Sequence, residues 1–313
     1  MKDNLFITSA NGKLYQYYDG ELTTVFEPEE KEMLTGLTKH EDTLYMTGDG
    51  TVYRIAFDDK NFTLEVQDII KIPKINPLLG QAKIIGDRLF ITSVAINGFY
   101  MFNLELTRVR TCEIPYVREV GWCMGEGTHR ETGERFLSKL ALEREATLHG
   151  NNIHVNSIFH YNDILYVNCS MFKEDGRSGC VILNLALDEI DRFENGWRAY
   201  SFCIIEGRKY CLCNSWSEQE DSFDVPDRGG IFLDCMLIEP WEDGWFCKDM
   251  SISSDKIFVV GGRSKKNINE RKNTDSIVLT LDRKNLNLLR RDIFYGVGEF
   301  RGCLLLEDDL TDA

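Results

Sequence analysis

No stretch of the 313 residues approaches the run of about 20 apolar positions that a membrane-spanning helix needs. The segment Met1-Lys2-Asp3-Asn4-Leu5-Phe6-Ile7 likewise holds no apolar run long enough for a signal peptide. Cysteine is too sparse for a disulfide scaffold: ten in the whole chain, most inside apolar runs such as Tyr210-Cys211-Leu212-Cys213. They read as reduced, buried thiols. Cys211 and Cys213 share a face by strand alternation, but no second close pair or adjacent His completes a tetrahedral metal set. Basic charge is also in deficit, 36 Lys and Arg against 51 Asp and Glu, for a net charge of −15. An acidic chain repels phosphate backbones and anionic lipid headgroups, which argues against nucleic-acid and membrane-surface partners. A soluble cytoplasmic protein is the expectation.

What the chain does have is a repeat. A turn residue, a spacer and a β-prone apolar trio recur as Asp3-Asn4-Leu5-Phe6-Ile7, Asp42-Thr43-Leu44-Tyr45-Met46, Asp87-Arg88-Leu89-Phe90-Ile91, Asp163-Ile164-Leu165-Tyr166-Val167 and Asp255-Lys256-Ile257-Phe258-Val259. A degenerate copy is Gly207-Arg208-Lys209-Tyr210-Cys211-Leu212. The separations from Leu5 through Leu44, Leu89, Leu165 and Tyr210 to Ile257 are 39, 45, 76, 45 and 47 residues. Four-stranded propeller blades take roughly 40–50 residues each. Further alternating runs opened by glycine follow the trios at Gly12-Lys13-Leu14, Gly50-Thr51-Val52 and Gly230-Ile231-Phe232, as third strands would.

The expected fold is therefore an all-β, six-bladed β-propeller, one domain over 1–313. The first copy has no inner strand ahead of it, while Glu299-Phe300-Arg301-Gly302-Cys303-Leu304-Leu305-Leu306 is a strand without a blade. Pairing the two closes the ring and removes its exposed edges. The long interval contains an insertion around 115–151, with a helix-like pattern at Phe136, Leu137, Leu140 and Ala141 that would suit a lid. Because Gly121-Trp122 echoes Gly196-Trp197 and Gly244-Trp245, the same stretch could instead hold a degenerate seventh blade.

In a propeller the inner strands line the central channel, so polar residues within them are the first functional candidates. His154 and Asn156 lie two apart in Asn152-Ile153-His154-Val155-Asn156-Ser157-Ile158 and share a face by alternation. Lys248 and Asp249 interrupt Trp245-Phe246-Cys247-Lys248-Asp249-Met250, and Glu299 stands two residues before Arg301. Glu299, Asn156 and Asp249 together offer the hard oxygen ligands that calcium or magnesium takes. Tyr200 and Trp122 fall near strand entrances and could line a ligand pocket, form a peptide platform or pack between blades. His129 and His149 flank the insertion, where His149 could reach the channel mouth or sit in solvent. The acidic loop 221–230 lacks the ligand spacing of a calcium-binding helix–loop–helix, and Gly261-Gly262-Arg263 lacks the strand-to-helix context of a phosphate loop.

These inner-strand segments resemble the six-bladed calcium-dependent lactonase and phosphotriesterase superfamily that includes paraoxonases, the senescence marker protein and gluconolactonases. Val155-Asn156-Ser157-Ile158 is similar to that family's Asn-Asp-Ile ligand strand, with Ser for Asp. Lys248-Asp249-Met250-Ser251-Ile252 is similar to its Asp-Asn strand, with Met for Asn, and Glu299 resembles its first-blade glutamate. Arg198-Ala199-Tyr200-Ser201-Phe202-Cys203 carries no asparagine where the family places one. The resemblance implies a metal-assisted lactone or ester hydrolase; the catalytic candidates are His154 and Asp249, and the candidates to hold the substrate are Lys248, Arg301, Tyr200, Trp122 and His149. Without a metal, the same side chains would serve acid–base chemistry of the isomerase or cyclase kind on a small anionic or carbonyl compound. The competing expectation is a non-catalytic propeller that binds a protein or peptide on its top face.

Overall fold

The computed structural model describes residues 4–72, 78–114, 154–170, 177–214, 230–234, 236–240, 245–263 and 268–306. These form six four-stranded antiparallel sheets. The first sheet holds β1 (Asn4–Ser9), β2 (Leu14–Tyr18) and β3 (Glu21–Phe26). The second runs β4 (Leu34–His40), β5 (Thr43–Gly48), β6 (Thr51–Asp58) and β7 (Thr63–Lys71). The third runs β8 (Leu79–Ile85), β9 (Arg88–Ser93), β10 (Gly98–Asn103) and β11 (Arg108–Glu113). Then come β12 (Val155–Tyr161), β13 (Ile164–Cys169), β14 (Arg177–Asn184) and β15 (Glu189–Trp197). The fifth is β16 (Ala199–Ile205), β17 (Arg208–Cys213), β18 (Gly230–Leu233) and β19 (Met236–Pro240). The sixth is β20 (Trp245–Ile252), β21 (Lys256–Arg263), β22 (Ser276–Asp282) and β23 (Leu288–Phe294), after which β24 (Phe300–Leu305) returns to the first.

The innermost strands β24, β4, β8, β12, β16 and β20 each pack on the next, with β20 returning to β24, so the protein is a six-bladed β-propeller. Every repeated trio lies in a second strand, and in the second to sixth blades the turn residue before it belongs to the hairpin from the inner strand. At Asn162-Asp163 and Glu206-Gly207 both turn residues have positive φ, the backbone that a tight hairpin matching the strand twist demands. Closure is as expected: β24 pairs antiparallel with β1, Leu5 opposite Leu305 and Ile7 opposite Cys303. Apolar side chains fill the wedges between blades. Phe6 and Leu14 of the first blade pack with Leu44, Ile55 and Phe57 of the second, and Tyr17 and Phe300 meet Phe258 and Val278 across the closure.

Polar tethers complete five of the six wedges near the channel. Thr8 Oγ1 donates to the Thr35 carbonyl at 2.9 Å, Thr47 Oγ1 to Gly80 at 2.8 Å and Thr92 Oγ1 to Asn156 at 3.1 Å. Asn168 Nδ2 donates to Ala199 at 3.0 Å and Asn214 Nδ2 to Cys247 at 2.9 Å. In each case a side chain within one residue of the end of a second strand satisfies a carbonyl near the head of the next blade's inner strand.

The ring has no place for a seventh blade between the third and fourth, because these two touch directly. Besides the Thr92 tether, Ile158 N donates to Gln81 Oε1 at 3.2 Å. The helix-like pattern at 136–141 lies outside the described residues. The eight described cysteines are free, seven of them buried. Cys211 and Cys213 do share a face, their sulfurs 3.8 Å apart. No helix among the described residues is long and apolar enough to cross a membrane.

Candidate functional site

Regular strand alternation would point every second inner-strand residue at the channel. The structure departs from it in all six blades at the same level. Against β21, Cys247 faces Gly261 and Asp249 faces Val260, leaving Lys248 extra. Against β1, the slip leaves Arg301 extra; in β16 and β12 it leaves Tyr200 and Asn156. In β4 and β8 it falls across Thr35-Gly36 and Gly80-Gln81. A bulge re-aims its extra side chain. Thr35, Gln81, Asn156, Tyr200, Lys248 and Arg301 accordingly ring one cavity of about 250 Å³, at the end of the channel where the inner strands begin. Asp49, His154, Asp249 and Arg271 complete its polar lining.

Asp249 is the hub. It is 5% exposed. Its Oδ1 accepts from Ser201 Oγ at 2.9 Å and Gln81 Nε2 at 3.1 Å, and its Oδ2 accepts from Cys303 N at 3.1 Å, so three other blades converge on one carboxylate. Gln81 cannot turn round, because Ile158 N–H holds its oxygen. Burial lifts the Asp249 carboxyl to about 6, against the opposing pull of Lys83, the Cys303 N–H and the Ser201 hydroxyl. The folded state therefore holds this proton where the unfolded chain has released it. Stability from this group is complete below about pH 4 and is lost as pH rises to about 6, a change on the order of 3 kcal/mol. We expect the stability difference between wild type and Asp249→Asn, followed by urea melts, to move against the wild type across that window and to be flat above it. A difference independent of pH would show that the carboxyl titrates normally.

Glu299 lies behind the cavity wall, 1% exposed. Arg301 Nη1 donates to its Oε2 at 2.7 Å, Arg271 Nε stands 4.0 Å from the same oxygen, and Lys248 Nζ stands 3.9 Å from Oε1. Burial opposes ionisation of Glu299, but Lys248, Arg301 and Arg271 together outweigh it and hold the carboxyl below its usual range. The Lys248 ammonium also sits 3.8 Å from the ring centres of Tyr200 and Phe246. Burial pushes the Tyr200 phenol upward, so it keeps its proton. Asn156 Nδ2 donates to the Ala199 carbonyl at 3.1 Å. Asp49 Oδ1 is buried with no hydrogen-bond partner, and burial raises that carboxyl too.

A calcium or magnesium ion does not fit this donor set. Both oxygens of Asp249 already accept from protein donors, and the Asn156 amide is tied to the neighbouring blade. Glu299 is surrounded by three cations that a divalent ion would have to displace. Among the described residues no three His, Cys, Asp or Glu side chains stand close enough to hold a metal.

Of the residues singled out from the sequence, His154, Asn156, Tyr200, Lys248, Asp249 and Arg301 meet on the cavity, Glu299 lies behind it, and Trp122, His129 and His149 fall outside the described residues. His154 and Asn156 do not share a face through alternation. His154 precedes β12 with a left-handed φ of 49°, and Asn156 is the bulged residue. Gln81 and Lys83 were legible by the rule that found the others, being polar positions in an inner strand. Asp49, within Gly48-Asp49-Gly50, reads as an ordinary turn, and nothing local marks Arg271.

No family model and no curated protein sequence matches the chain. Solved structures match it over nearly its whole length. One is a chain of a nidogen–laminin complex, with a TM-score of 0.58, 9% identity and 97% of each chain covered. Another is a candidate 6-phosphogluconolactonase from Bacteroides fragilis, with a TM-score of 0.57, 12% identity and 98% of each chain covered. A third, from Lactobacillus plantarum, has a TM-score of 0.54, 12% identity, and covers 98% of this chain and 100% of its own. The propeller fold is common to all three. At these identities the likeness concerns fold alone.

Proposed function

We propose that this protein is a small-molecule enzyme that performs metal-independent acid–base chemistry on a small carbonyl compound in the cavity at the head of its inner strands. The placement of Asp249 carries the reading: a buried carboxyl on the cavity wall, fixed by three hydrogen bonds and titrating near 6, exchanges protons readily at neutral pH. Asp249 acts as the base, while His154, which lines the same cavity from the fourth blade, offers a second group for proton transfer. Tyr200 keeps its proton and donates to charge that develops on the carbonyl oxygen. Isomerisation, or the opening or closing of a lactone ring, is the reaction class. The free cysteines support a reducing compartment such as the cytoplasm.

The test is a panel of small carboxylated and phosphorylated carbonyl compounds, followed by proton release and NMR. A phosphorylated sugar lactone belongs in it, the substrate class named for the Bacteroides fragilis neighbour. At least one compound should turn over at a rate unchanged by EDTA. Activity abolished by EDTA and restored by calcium would return the metal to the site, and no turnover across the panel would favour a non-catalytic propeller.

A further inference from the structure

We propose that Lys248, Arg271 and Arg301 form an oxyanion-binding cradle with Glu299 as its buried counter-ion, and that it receives a carboxylate or phosphate group of the molecule entering the cavity. The proposal deepens the acid–base reading by naming the substrate class, and it leans on that reading only for what happens at the other end of the substrate.

Three cations drawn from two blades converge on one carboxylate. One close partner suffices to neutralise a buried carboxylate, and each further cation adds repulsion among the cations. Arg301 supplies that partner at 2.7 Å; Arg271 and Lys248 stand off at 4.0 and 3.9 Å, beyond the 2.7–2.9 Å of a charge-assisted hydrogen bond. Side-chain exposure rises in order from Glu299 at 2% through Lys248 at 4% and Arg301 at 17% to Arg271 at 29%. The anion is thus at the back and the guanidinium groups are at the front, facing the cavity. Around Glu299 itself three cations face one carboxylate, while Asp49 lies in the field of Arg301 and Asp249 in that of Lys83. In a chain of net charge −15, three cations are gathered on the wall of one cavity. It suits a small oxyanion, since two guanidinium forks match the geometry of carboxylate and phosphate.

The experiment is calorimetric titration with inorganic phosphate, paired with thermal melts. Wild type should bind phosphate and melt higher in its presence. Arg271→Gln removes the most exposed cation while Glu299 keeps two partners, and it should weaken phosphate binding at least tenfold. Glu299→Gln removes the counter-ion, so it should melt lower without phosphate, bind phosphate at least threefold more tightly, and recover most of the lost melting temperature when phosphate is added. Wild type that ignores phosphate, or Glu299→Gln that phosphate fails to rescue, would overturn the cradle. A calcium-induced stabilisation lost in Glu299→Gln would overturn it as well. Asp249→Asn should keep phosphate binding, so turnover that depends on Asp249 in a protein that ignores phosphate sinks the cradle alone.

Discussion

On the compound the panel identifies, Asp249→Asn is expected to lower kcat by ~10²- to 10⁴-fold, the usual contribution of a positioned acid or base. The fold should survive. Asparagine fills the same space, its carbonyl takes the Cys303 N–H, and the Ser201 hydroxyl turns to suit it. One mismatch remains against the Gln81 amide, whose oxygen is held by Ile158 N–H, at a cost of about 1–3 kcal/mol. Removing a buried charge that titrates near 6 returns a comparable amount, so the melting temperature at pH 7 should stay close to wild type. In the wild type, kcat/KM should fall as pH drops through about 6, where the base becomes protonated, and the residual rate of the variant should lack that limb. Ser201→Ala removes a hydrogen bond that favours the ionised form, so it should move the limb to higher pH. A variant at wild-type rate, or a limb indifferent to Ser201, would leave Asp249 with a structural role only.

The largest expected loss of stability is at Gly36. A Cβ there would stand 2.4 Å from the Gly80 carbonyl oxygen and 2.6 Å from Ala82 N, both main-chain atoms of the next inner strand. Backbone cannot swing aside as a long side chain can. The same residue donates its N–H to Thr47 Oγ1 at 2.7 Å, and that hydroxyl tethers Gly80 at 2.8 Å, so a shift to relieve the clash would also break the link between the second and third blades. Gly36→Ala should cost roughly 3 kcal/mol, the upper part of the usual range for overpacking, and Gly36→Val should prevent folding to a soluble protein. Thermal melts and soluble yield measure both. An alanine variant that melts like wild type would show that the inner ring is looser than its contacts imply.

Much of the ring is legible in the residues themselves. The turn residue and apolar trio mark the second strands because a hairpin and a doubly packed strand each impose a local composition, and Leu89 to Leu165 stands out as the interval with extra chain. A subtler local signal accompanies them. Within one residue of the end of five trio strands stands Thr8, Thr47, Thr92, Asn168 or Asn214, and each proves to be the tether to the next blade. The site is only partly legible. Polar letters in inner strands point to Lys248, Asp249 and Arg301, yet strict alternation cannot place neighbours such as Lys248 and Asp249 on one cavity. The bulge that does so arises from register against β21, which the local sequence does not express.

Composition and repeat spacing pointed by themselves to a chain that builds blades, closes them by pairing its β1 and β24 segments, and carries isolated polar groups into its innermost strands. The tertiary structure alone decided what those groups become. Six register slips at one level turned them inward, and Arg271 arrived from a segment with no local mark of function. Three cations then gathered around Glu299, in the position where a resemblance in sequence had placed a metal ligand. A strand's composition is fixed by its immediate packing, whereas the charge around a carboxylate is set by whichever distant residues the ring brings beside it.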